Sequence, residues 1–224
     1  MLQPVMTAPQ TRIFLVDDHP LVREWLATLL RQQPDFEVCG QAEDARDAFA
    51  TMLANPPDVA IVDLSLKTSS GLDLIKELSD RLPETQVIVL SMHEEIFYAE
   101  RAMRAGARGY VTKRESTHRI VEAIHEVQAG RLYANAELLA KLAERIVGRN
   151  QSNQPGSVET LSDRELEVFR RLGEGQANRL IAEELHLSIK TVQAYCARIK
   201  DKLGLANASE LAREAIRWAD QKNR

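Results

Sequence analysis

The chain has 224 residues, 44% of them hydrophobic and 28% charged, with a net charge of −4, the makeup of an ordinary soluble globular protein of one or two domains. No apolar run approaches the roughly 18 residues of a membrane span, the first stretch MLQPVMTAPQTR has no basic start before an apolar core, so no secretory leader is expected, and Cys39 and Cys196 fit no metal spacing. Membrane and zinc-binding classes are set aside, and a cytoplasmic protein with reduced thiols is expected.

Along residues 12–131, short runs rich in Val and Ile alternate with helical patterns. RIFLVD, FEVCGQA, DVAIVD, QVIVLS and RGYVT are too short for ordinary helices and read as five strands. HPLVREWLATLLRQ places Pro20 at a first helical position and Leu21, Trp25, Leu26, Leu29 and Leu30 on one face. EDARDAFATMLA, GLDLIKELSD, EEIFYAERAMRA and STHRIVEAIHEVQAG follow as helices. Five strand–helix units in succession predict an α/β doubly wound, five-stranded parallel sheet with helices on both faces.

In such a sheet, ligands sit outside the carboxyl ends of the strands. Asp17 and Asp18 end the first strand, Asp63 the third, Ser91 the fourth and Lys113 the fifth. A strand that ends in one solvated polar residue is commonplace; three carboxylates, a hydroxyl and a lysine gathered on one edge are not. Crowded carboxylates either raise their pKa values or hold a cation, and oxygen ligands with room for water and phosphate suit Mg²⁺. A carboxylate also serves as a nucleophile that becomes an aspartyl phosphate, and phosphoryl transfer needs positioning and charge neutralisation above all.

On the acid pair Asp17-Asp18, Asp63 in VDLSL with Gly71 eight positions on, Ser91 in VLSMH and GARGYVTK ending in Lys113, residues 11–131 resemble a response-regulator receiver domain, which has a flavodoxin-like fold. The resemblance implies that Asp63 is the phosphoacceptor. It implies that Asp17, Asp18 and Asp63, with the backbone carbonyl of Ser65, hold Mg²⁺. Lys113 would pair with the phosphoryl group, Ser91 would reorient to bond it, and Tyr110 would swing inward behind it. A sensor histidine kinase would supply the group, and the chain would be no enzyme beyond transfer and dephosphorylation at its own Asp63. Two positions depart from the pattern. Lys67 stands where a proline is usual, and Arg114 follows Lys113 in place of a proline whose peptide bond is usually cis; a cis bond before a non-proline costs about 2.5–4 kcal/mol. His93 lies near the expected phosphate entrance, as a solvated loop histidine or a tuner of phosphate lifetime. An aspartyl-phosphate phosphatase on a similar sheet would carry a second acid where this chain has Ser65.

Residues 132–158 read as a linker. Its first part forms a helix with Leu138, Leu139, Leu142, Ile146 and Val147 on one side, and GRNQSNQPGS reads as a flexible connection. The charge changes across it. Residues 1–131 carry 14 basic and 20 acidic side chains, whereas residues 161–224 carry 12 and 10, which points to different partners for the two halves.

Residues 159–224 read as a small all-α domain of four helices. Ser162 and Glu165 have capping-box spacing, Ser188 caps the third helix, Gly204 ends it, and Asn207 and Glu210 open the fourth. Two short helices joined by LHLS fit a helix-turn-helix, whose second helix enters the major groove. On Leu161, Arg164, Glu165, Gly175, Asn178, Ile181, Thr191, Val192, Ile199 and Gly204, among others, the segment resembles the LuxR-type helix-turn-helix of NarL/FixJ response regulators. It departs from that family at Gln193 and Tyr195, where lysine and histidine are usual, and at Leu180 and Ala208. The resemblance sets Gln193, Ala194 and Ala197 where base edges are read; glutamine pairs with adenine and alanine meets a thymine methyl. Lys190, Thr191, Arg198 and Lys202 remain as phosphate contacts, with a shallower salt dependence. The expectation is a phosphorylation-dependent transcription regulator that binds double-stranded promoter DNA as a homodimer, with no membrane contact. The alternative is a second domain that binds a protein partner instead of DNA.

Overall fold

Five parallel strands, β1 (Thr11–Val16), β2 (Phe36–Ala42), β3 (Val59–Val62), β4 (Gln86–Ser91) and β5 (Gly109–Thr112), run side by side in the order β2-β1-β3-β4-β5. The order reverses between β1 and β3, which opens a crevice at their carboxyl ends. The computed structural model describes residues 10–66, 69–92, 96–114, 117–147, 157–185 and 187–222, in two units, Met1–Ile146 and Val147–Arg224. Lys67, His93 and the connection over residues 148–156 lie outside the described residues.

Strand side chains alternate between the two faces, and each face is covered. Ile13, Leu15, Ile61, Ile88 and Leu90 join one core with Leu26 and Leu30 of helix α1 (Pro20–Arg31) and Ile120 and Ile124 of α5 (Thr117–Gln128). Phe14, Val16, Ala60, Val62, Val87 and Val89 alternate with them and are also buried. Helices α2 (Ala45–Ala54), α3 (Gly71–Arg81) and α4 (Ile96–Ala105) pack in series, α2 against α3 and α3 against α4. Complete burial of the VAIV run of β3 is the mark of a central parallel strand.

The face expected of α1 is narrower than its leucines suggest. Leu26 and Leu30 are buried and Val22 and Leu29 pack beside them, but Leu21 is 80% exposed and Trp25 43%. Successive helix residues lie about 100° apart, so the stripe that meets the sheet through Val22, Leu26 and Leu29 turns Leu21 and Trp25 to solvent.

The edge of the sheet extends past the boundary expected at residue 131. Gly109 and Tyr133 form a parallel bridge, the Tyr110 N–H donates to the Tyr133 carbonyl (2.8 Å), and the Tyr133 N–H donates to the Arg108 carbonyl (2.9 Å). What reads as the start of a linker is therefore held on β5. Helix α6 (Ala136–Val147) follows, with Leu138 buried and Leu139 exposed; the side chains of Leu142, Ile146 and Val147 lie outside the described residues.

The second unit begins with a short 3-10 turn (Val158–Thr160) and continues through α7 (Asp163–Gly173), α8 (Asn178–Glu184), α9 (Ile189–Leu203) and α10 (Ala208–Lys222). Ser162 and Glu165 close a reciprocal capping box at the start of α7. Gly204 ends α9 with φ of 66°, a left-handed conformation that favours glycine. Phe169, Ile181, Val192, Ile199 and Ala215 are fully buried, and Trp218 packs edge-on against Phe169. Among the described residues no helix is long and apolar enough to cross a membrane.

One glycine ties the fold to the strand-end crevice. A Cβ on Gly71 would lie 2.1 Å from the Asp63 carbonyl oxygen, so only glycine lets α3 begin against the backbone that carries Asp63. Gly71→Ala is expected to cost about 1–3 kcal/mol, as overpacking does, read as a lower melting temperature with Asp63 displaced.

Candidate functional site

Asp17, Asp63 and Lys113 are each fixed by one backbone hydrogen bond beyond the end of a strand. The Asp17 N–H donates to the Ala42 carbonyl (3.2 Å), the Asp63 N–H to the Val16 carbonyl (2.8 Å) and the Lys113 N–H to the Ser91 carbonyl (2.7 Å). These bonds prolong the ladders by one residue and gather the side chains over the β1–β3 crevice. Asp17, Asp18 and Asp63 are 2–5% exposed, and Ser91 is fully buried.

The Lys113 ammonium lies 2.6 Å from Asp17 Oδ2 and 2.7 Å from Asp63 Oδ2. The other Asp63 oxygen accepts the Ser65 N–H at 3.2 Å, which brings the Ser65 backbone to the site. Burial pushes the Asp63 carboxyl above its ordinary range, against the pull of Lys113 and with the help of Asp17. Burial works to lower the Lys113 ammonium, but Asp63 and Asp17 outweigh it and the group is held above its ordinary value.

Oxygen atoms of Asp17, Asp18 and Asp63 and a ring nitrogen of His19 all lie within 4.8 Å of one another. Among the described residues the Lys113 ammonium meets two of these three carboxylates, and buried charge of one sign is costly unless it is neutralised. A hard divalent cation with an affinity for oxygen fits this donor set, and Asp17, Asp18 and Asp63 are the residues that would hold it. His19 was not among the site residues expected from sequence. Its N–H donates to Asp17 Oδ1 (2.8 Å), and its Nδ1 lies 3.1 Å from Asp17 Oδ1 and 2.7 Å from Asp18 Oδ1. Its place directly after the acid pair was the available signal.

Tyr110, expected to swing inward, is 1% exposed and already occupies a buried position on β5. Among the described residues no peptide bond is cis, so the bond from Lys113 to Arg114 is trans, as the cost of a cis bond before a non-proline requires. Lys113 still reaches both carboxylates.

In the second unit the expected contact residues fall on α9. Lys190, Gln193, Ala194, Ala197 and Arg198 are exposed, while Val192 and Ile199 face the core. Thr191 is half-buried, its N–H donating to Ser188 Oγ at 3.1 Å and its hydroxyl 2.8 Å from the same oxygen. The Arg198 guanidinium lies over the Tyr195 ring, 5.9 Å from its centre. Lys202 stands apart from the others. Its ammonium is 2.6 Å from Glu165 Oε2 and 3.3 Å from the Thr160 carbonyl. A buried carboxylate at the start of α7 therefore claims the cation that sequence reasoning assigned to a phosphate. Burial works to raise the Glu165 carboxyl, but the bonds from Lys202 and Ser162 prevail and hold it below its ordinary range.

Residues 13–125 match the family described as "Response regulator receiver domain", and residues 159–215 the family described as "Bacterial regulatory proteins, luxR family". The chain is 33% identical over 211 residues to the oxygen regulatory protein NreC of Staphylococcus epidermidis, an alignment that covers 92% of this chain and 97% of that one. It is similar to the crystal structure of a two-component response regulator of the LuxR family from Aurantimonas (33% identity, 62% of this chain and 99% of that one, TM-score 0.58). It is also similar to RcsB from Salmonella enterica serovar Typhimurium bound to a promoter in the presence of the phosphomimetic BeF3− (26% identity, 92% and 98%, TM-score 0.58).

The raised Asp63 pKa has a sign that can be measured. The folded chain holds its proton to higher pH than the unfolded chain, so stability from this group is present in acid and is lost as pH rises through the folded value. Asp63→Asn removes that loss. Without metal, its melting temperature is expected to match wild type in acid and to exceed it at neutral pH, by about 2–4 °C for each kcal/mol. Mg²⁺ is expected to close the gap by stabilising wild type alone; a wild type indifferent to Mg²⁺ contradicts the metal assignment.

Proposed function

This chain belongs to the response-regulator family, of the kind that joins a receiver domain to a LuxR-type regulatory domain, and from that premise we propose that it is a DNA-binding transcription regulator switched by a phosphoryl group on Asp63. The observation that carries the switch is the Lys113 ammonium drawn between Asp17 and Asp63 in a buried crevice. An Asp63 carboxylate oxygen attacks the phosphorus of a phosphohistidine on a sensor kinase; the new P–O bond forms as the P–N bond breaks, and the histidine nitrogen leaves with the electron pair. Mg²⁺, when bound, neutralises the phosphoryl oxygens. Lys113 sits within reach of those oxygens, and the buried Ser91 hydroxyl turns to donate to one.

The modified side chain carries about −1.5 to −2 where the carboxylate carried one negative charge. Lys113 follows that charge and loosens from Asp17, and Tyr110, on the strand that Lys113 directly follows, transmits the change along β5. The chain's own chemistry is confined to gain and loss of this one group, and the protein works in the cytoplasm. A dimer presents two copies of α9 to half-sites about one helical turn apart, or a multiple of that. The promoter-bound RcsB relative supports DNA over a protein as the partner of the second unit.

The test is selection of genomic fragments at low salt, with Mg²⁺ and a small phosphodonor, by wild type and Asp63→Ala. Phosphodonor is expected to raise specific recovery about ten-fold or more for wild type and not for Asp63→Ala. Equal recovery by both, with and without donor, overturns the switch. Lys190→Ala is expected to weaken binding alike on all sequences and to reduce the salt slope by about one.

A further inference from the structure

Among the described residues gathered at the strand ends, His19 is set apart by a nitrogen lone pair; the Lys113 ammonium has donors only. The His19 Nδ1 lies 2.7 Å from Asp18 Oδ1 and 3.1 Å from Asp17 Oδ1. Asp17 divides its oxygens, with Oδ2 2.6 Å from the Lys113 ammonium and Oδ1 turned to His19. The backbone fixes this placement, because the His19 N–H donates to Asp17 Oδ1 at 2.8 Å. His19 is the N-cap of α1, but its ring makes no capping bond. The ring is half exposed and the two carboxylates it meets are buried, so its Nδ1 edge faces the cluster and the rest faces water.

Nδ1 and two carboxylate oxygens cannot sit this close as bare lone pairs; a hydrogen or a cation must lie between them. Without metal, a hydrogen on Nδ1 fills that role. A cation takes the same place when Nε2 carries the ring hydrogen, as in the neutral imidazoles that bind metals. Two ligand atoms on one ion, each about 2.0–2.2 Å from it, stand at most about 4.4 Å apart. Oxygens of Asp17, Asp18 and Asp63 and a ring nitrogen of His19 already lie within 4.8 Å of one another, and an exposed ring turns readily about its side-chain bonds. Among the described residues no other group of three or more acidic, His or Cys side chains gathers so closely.

Mg²⁺ takes oxygen ligands and gives up its water reluctantly, so it is bound by the carboxylates and leaves the imidazole aside. A first-row transition cation accepts imidazole beside carboxylate. Resting on the divalent cation assigned to this site above, we propose that His19 Nδ1 is a further metal ligand and makes the strand-end site prefer such a cation, Mn²⁺ over Mg²⁺. The site then offers Mn²⁺ a nitrogen and three carboxylates, and offers Mg²⁺ the three carboxylates alone.

The experiment measures binding of Mn²⁺ and, separately, of Mg²⁺ by the full chain at one fixed pH, for wild type and His19→Ala, with pulsed electron paramagnetic resonance of the bound Mn²⁺. Because the ring is half exposed and caps nothing, His19→Ala is expected to keep the metal-free melting temperature of wild type. Mn²⁺ on wild type is expected to show a directly bound nitrogen, and on His19→Ala none. His19→Ala is expected to lose about ten-fold or more in Mn²⁺ affinity, at least the loss that follows removal of a ligand's supporting partner, with Mg²⁺ affinity unchanged. A ratio of Mn²⁺ to Mg²⁺ affinity that His19→Ala leaves unaltered overturns His19 as a ligand while the carboxylate site stands. So does nitrogen coupling that is absent from wild type or that persists in His19→Ala. If wild type binds neither cation, the metal reading of the cluster fails, and the role of His19 fails with it.

Discussion

Three buried carboxylates gathered at the strand ends, two of them on the Lys113 ammonium, are the constraint on which the first unit depends. Asp17, Asp18 and Asp63 would repel one another if they were merely adjacent. The parallel sheet holds them together because Asp17 and Asp63 each follow the last residue of a strand and are pinned by one further ladder bond, with Asp18 next to Asp17. Burial raises the Asp63 pKa, Asp17 adds to the rise, and Lys113 opposes it. A site of that kind responds to any change in local charge. A cation would relieve the repulsion, and the phosphoryl group proposed for Asp63 would deepen it.

The same crevice is joined mechanically to elements on either side. Gly71 seats α3 against the Asp63 backbone with no room for a Cβ. Tyr110 shares a main-chain bond with Tyr133, in the segment that leads to α6. A shift of β5 therefore has a covalent and hydrogen-bonded route to the start of the interdomain segment. In the second unit, the Glu165–Lys202 pair does comparable work, because it ties the C-terminal part of α9 to the capping box of α7 and so fixes the angle at which the exposed face of α9 is presented.

The sheet and its strand-end charges were legible in the sequence because both signals are local: short Val and Ile runs mark buried parallel strands, and an abrupt acid or lysine marks where each run ends. The capping pairs at Ser162 and Glu165 and at Ser188 were legible for the same reason. What was not legible depends on partners distant in sequence. The period of α1 does not reveal which of two neighbouring stripes meets the sheet, so Leu21 and Trp25 read as core and are exposed. Lys202 reads as a free cation on a helix surface until the fold brings it to Glu165, 37 residues earlier. Tyr133 joins β5 through one bridge, too short to leave a strand pattern. His19 is a different case, because it was visible beside the acid pair and its contacts with both carboxylates emerge only in three dimensions.

The most direct test of the central claim is intact-mass measurement of the full chain after incubation with a small phosphodonor, with and without Mg²⁺, for wild type and Asp63→Asn. Wild type with Mg²⁺ is predicted to gain the mass of one phosphoryl group, with none gained when Mg²⁺ is chelated or when Asp63 is Asn. A phosphoryl group that forms equally well on Asp63→Asn, or with no dependence on the divalent cation, contradicts the account of the carboxylate cluster as the site and of Asp63 as its nucleophile.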